Sequence, residues 1–93
     1  MSIWSSCSGS YTIPKYSGFS LQKYIESIYD EVVWRKITQE ESECHSNTIE
    51  VDFEFVFSLD GIAAAELIDC LVKKITSLPG YVWSNIHSEI RFT

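Results

Sequence analysis

The ten residues Thr48–Phe57, TIEVDFEFVF, constrain the fold more than any other stretch of the chain. Ile49, Val51, Phe53, Phe55 and Phe57 share one parity, and Thr48, Glu50, Asp52 and Glu54 share the other. Side chains on a strand alternate between faces, so this segment is a β-strand with one buried and one wet face. Whatever surrounds it must supply a core on the aromatic side and leave the carboxylates in water. The chain has 93 residues, 45% of them hydrophobic, which is one domain's worth of sequence. A chain of this size buries roughly 64% of its unfolded surface, enough for a single core over residues 1–93.

Around that strand the pattern changes to a helical period. Leu59 and Asp60 read as a staple residue and an N-cap, followed by a stripe of Ile62, Ala65, Ile68, Leu71, Val72, Ile75 and Leu78. Pro79-Gly80 stops that helix. Residues 81–93 alternate again, with Tyr81, Trp83, Asn85, His87, Glu89 and Arg91 on one side and Val82, Ile86, Ile90 and Phe92 on the other. Upstream, Phe19-Ser20 is a second staple and cap, and Leu21, Tyr24, Ile25, Ile28 and Val32 form a stripe. Val32–Glu40 reads as a poorer strand, although Val32 also fits an extension of the preceding helix through Lys36. Glu41–Asn47 is then a hairpin loop. Ile3–Ile13 is a first strand with Gly9 as a bulge site, and Pro14–Gly18 turns into the helix.

The expected order is β-α-β-β-α-β, an α+β ferredoxin-like split βαβ with a four-stranded antiparallel sheet and two helices on one face. The first and third strands are central in that topology, and the other two are edges, where Arg35 and Lys36 discourage unwanted pairing. Phe53, Phe55, Ile86 and Ile90 face the helices. Glu50, Asp52 and Glu54 face outward, with Tyr81, Trp83, His87 and Trp4 beside them.

Charge is unevenly distributed. The formal net charge is −6, yet residues 26–54 alone carry nine acids against Arg35 and Lys36. Such a field repels phosphate and favours a basic partner. The string DFEFVF resembles the aromatic third-strand motif of RNA-recognition modules, but its phenylalanines lie on the buried parity and the open side is acidic. Direct nucleic-acid binding is therefore not expected.

The remaining chemistries are also thin. Carboxylates two apart on a strand stand about 6.6–6.8 Å apart, but no nucleophile motif or Gly-rich phosphate loop accompanies them. Cys44-His45 lacks the paired ligand spacing of a zinc site, and adjacent extended side chains diverge. No enzyme activity, metal or cofactor is expected. No apolar run reaches the roughly 18 residues of a membrane span, and Met1-Ser2-Ile3-Trp4 lacks a signal peptide's basic region. With three widely spaced cysteines, the thiols are expected reduced and the location cytoplasmic.

These features point to a non-enzymatic interaction protein. In the leading expectation Glu50, Asp52 and Glu54, with Glu40, Glu41 and Glu43 at the rim, dock on a basic nucleic-acid-handling protein as a nucleic-acid mimic. Phage-encoded inhibitors of host defence have this size and charge, an analogy of class. The alternative is a homodimeric regulatory or small-ligand-binding domain that uses Tyr81 and Trp83 on the open sheet face.

Overall fold

The computed structural model describes residues 3–43, 46–58 and 61–92, the side chains at 3, 61 and 90–92 excepted. The elements are β1 (Ile3–Pro14), a 3-10 turn (Lys15–Ser17), α1 (Leu21–Ile28), β2 (Val33–Glu41), β3 (Thr48–Phe57), α2 (Gly61–Thr76) and β4 (Trp83–Phe92). The strands form one antiparallel sheet in the order β2-β3-β1-β4, so β1 and β3 are central.

The inner face is built on β3. Val51, Phe53, Phe55 and Phe57 are buried together with Cys7, Tyr11 and Ile13 of β1. Leu21 and Ile25 of α1, and Ala64, Leu67, Leu71 and Ile75 of α2, complete the same cluster, so both helices cover one face. Aromatic rings run through it in sequence. Trp34 lies 5.0 Å from Phe55, Phe55 5.7 Å from Phe57 and 6.0 Å from Phe53, and Phe53 6.0 Å from Tyr11. Phe19 meets Tyr11 at 6.1 Å and Tyr24 at 5.9 Å, closing the staple of α1 across its cap. The Ser20 hydroxyl accepts from the Lys23 N–H, as an N-cap does.

Two local expectations change, and one alternative is excluded. The apolar stripe of α2 runs through Ala64, Leu67, Leu71 and Ile75, while Ile62 is 77% exposed and Ala65 is also exposed. The run Ala63-Ala64-Ala65 is apolar all round, so the two leucines set the helix rotation. Residues 33–41 are a strand and not an extension of α1, which ends at Ile28 with Tyr29 already extended. Gly9 is not a bulge, since it stays in register with Phe53 on one side and Ile86 on the other. A Cβ there would stand 2.1 Å from the Asn85 carbonyl oxygen and 2.8 Å from the Ile86 Cα, so only glycine lets β4 close on β1. The cap expected from Leu59 and Asp60, and the burial expected of Ile90, lie outside the described residues.

Phe55→Ala should lower stability by about 3–5 kcal/mol, and Gly9→Ala by about 1–3 kcal/mol through forced separation of β1 and β4. Urea unfolding followed by circular dichroism measures both. A Phe55→Ala loss below about 1 kcal/mol would mean that the inner and outer faces have been exchanged.

Candidate interaction surface

Among the described residues the outer face of the sheet carries no helix. Because β1 and β3 are fixed inward by their aromatic and aliphatic positions, their even-numbered residues point outward. The register sets these in rows. Glu54 lies opposite Lys36 and Ser8, Asp52 opposite Thr38 and Ser10, and Glu50 opposite Glu40 and Thr12. On the far side of β1, Ser8, Ser10 and Thr12 face His87, Asn85 and Trp83. Glu50, Asp52 and Glu54 are half-buried, with short hydroxyl side chains beside them on β1 and Lys36, Thr38 and Glu40 on β2. Among the described residues no base reaches ion-pair distance of these three; the ion pairs are Lys15–Glu41 and Lys73–Asp69.

The rim differs from expectation. Glu40 lies in β2 as expected, Glu41 belongs to β2 rather than to the hairpin loop, and Glu43 follows the strand end. Glu40 faces Glu50 and extends the outer acidic row. Glu41 faces Ile49, on the other side, and its carboxylate accepts from the Lys15 ammonium, which holds it below the ordinary carboxylate range. Glu41 is thus already paired. Tyr81 is also placed differently: it precedes β4, packs against the inner cluster, and its hydroxyl lies 2.9 Å from the Ser84 Oγ. Trp83 does reach the outer side, 38% exposed. Cys44 and His45 lie outside the described residues.

Sequence reasoning missed the other end of this face. Between Trp34 and Lys36 the β2–β3 register shifts, a bulge that absorbs Arg35 as an extra residue. Val33 then faces Val56 outward while Trp34 still pairs inward with Phe55. A shallow groove of about 480 Å³ results, with Trp4, Val33 and Val56 as its apolar part and Arg35, Glu54 and Glu89 as its charged part. The broken parity of VVWRKI was the available signal. Among the described residues there is no group of three or more His, Cys, Asp or Glu able to hold a metal ion. No helix among them is long and apolar enough to cross a membrane.

No family model matches the chain, and no curated protein matches it. Among solved structures it is similar to the solution structure of the C-terminal domain of the MgtC protein from Mycobacterium tuberculosis. The TM-score is 0.55 at 9% identity, over 96% of this chain and 88% of that one. At that identity the likeness shows the fold alone.

Two thiols are contrasted by this architecture. Cys7 is buried on the inner face of β1, which pushes its pKa from 9.0 up to about 12, whereas Cys70 is exposed on α2. Maleimide labelling of the native protein, read by peptide mass spectrometry, should modify Cys70 and spare Cys7 until denaturant is added. The folded chain holds the Cys7 proton more tightly than the unfolded chain does. That contribution to stability is complete below pH 9 and is lost as the pH rises toward 12.

Proposed function

We propose that this chain is a non-enzymatic ferredoxin-like interaction domain whose outer sheet face docks on a basic, nucleic-acid-handling protein as a nucleic-acid mimic. The observation that supports it is the unpaired carboxylate row on the central strand. Glu50, Asp52 and Glu54 stand in line, Glu40 adds a fourth acid beside Glu50, and no described base makes an ion pair with the three on β3, Lys36 opposite Glu54 included. Alternate strand positions repeat every 6.6–6.8 Å or so, a rigid ladder of anions with a spacing similar to that of successive phosphates on one strand. Glu43 and Glu41 contribute only at the margin, the second because Lys15 already holds it.

A homodimer through the same face is the second reading, favoured by Trp4 and Trp83, 37% and 38% exposed. It would bring two acidic rows into one desolvated interface, where unpaired carboxylates oppose association.

The test is displacement of a labelled DNA duplex from a basic DNA-binding protein. Reversing Glu50, Asp52 and Glu54 together to Lys should weaken displacement by about 10- to 100-fold, at roughly 0.5–1 kcal/mol per exposed contact. The unsubstituted domain should lose affinity as salt rises past about 0.15 M. The control reverses Glu26, Glu31 and Glu66, all exposed and away from the outer face. Equal loss in both triples would assign the effect to net charge, and insensitivity to the first triple and to salt would sink the mimic.

A further inference from the structure

We draw no further inference here: the strongest candidate, the shallow groove beside the β2 bulge on the outer sheet face, combines apolar Trp4, Val33 and Val56 with the opposite charges of Arg35 and Glu54, a lining that selects no one class of occupant, and nothing in the structure shows what covers it.

Discussion

The row of phenylalanines on the inner side of β3 is the constraint on which the rest of the molecule depends. Phe53, Phe55 and Phe57 are each 2% exposed or less, and their rings meet Trp34 on β2 and Tyr11 on β1. Each buried side chain of this size contributes about 1.5–3 kcal/mol, so this strand alone supplies a large part of the stability of a small domain. A shift of one residue would expose all three rings and bury Glu50, Asp52 and Glu54. Parity is therefore the most strongly determined property of the strand.

From that parity the neighbours follow. β2 has to pair Trp34 and Ile37 with Phe55 and Phe53, but those residues are three apart, an odd step that no regular strand can hold on one face. The bulge at Arg35 absorbs the extra residue and turns a failed alternation into a usable edge. The same device creates the apolar and basic corner at Val33 and Arg35. β1 faces a different demand, because it lies between two strands. Gly9 admits the β4 backbone at a distance that a methyl group would forbid, and Ser6, Ser8 and Ser10 keep its outer side low.

Elements with a clean period were legible in the sequence. The strand at 48–57, the cap and staple at Phe19-Ser20, and the outward placement of Glu50, Asp52, Glu54 and Trp83 could all be read from residue spacing. The rest required knowledge of which atoms meet. The rotation of α2 was ambiguous because three alanines carry no directional signal, and Leu67 and Leu71 decided it through packing. Tyr81 fitted the parity of β4, yet it precedes the strand, where alternation no longer governs, and its ring packs inward. Glu41 read as a loop acid because the ion pair with Lys15 joins residues 26 apart in sequence.

Stability alone does not account for the outer face. Glu40 opposite Glu50 is a like-charge cross-strand pair, unfavourable by a few tenths of a kcal/mol to about 1 kcal/mol, and threonine or a base at either position would remove the penalty. Serines line much of the outer side of β1, where β-branched residues would suit a strand better. The aromatic inner face offsets both costs several-fold. A sheet with that surplus can carry an outer surface that is locally unfavourable, and local rules are most often broken where a surface has work to do. The acids gathered on the central strand, beside low hydroxyl side chains on β1 and without an ion pair among the described residues, form such a departure. They lie on a strand held by that same aromatic core, so docking on the face can occur without disturbing the packing beneath.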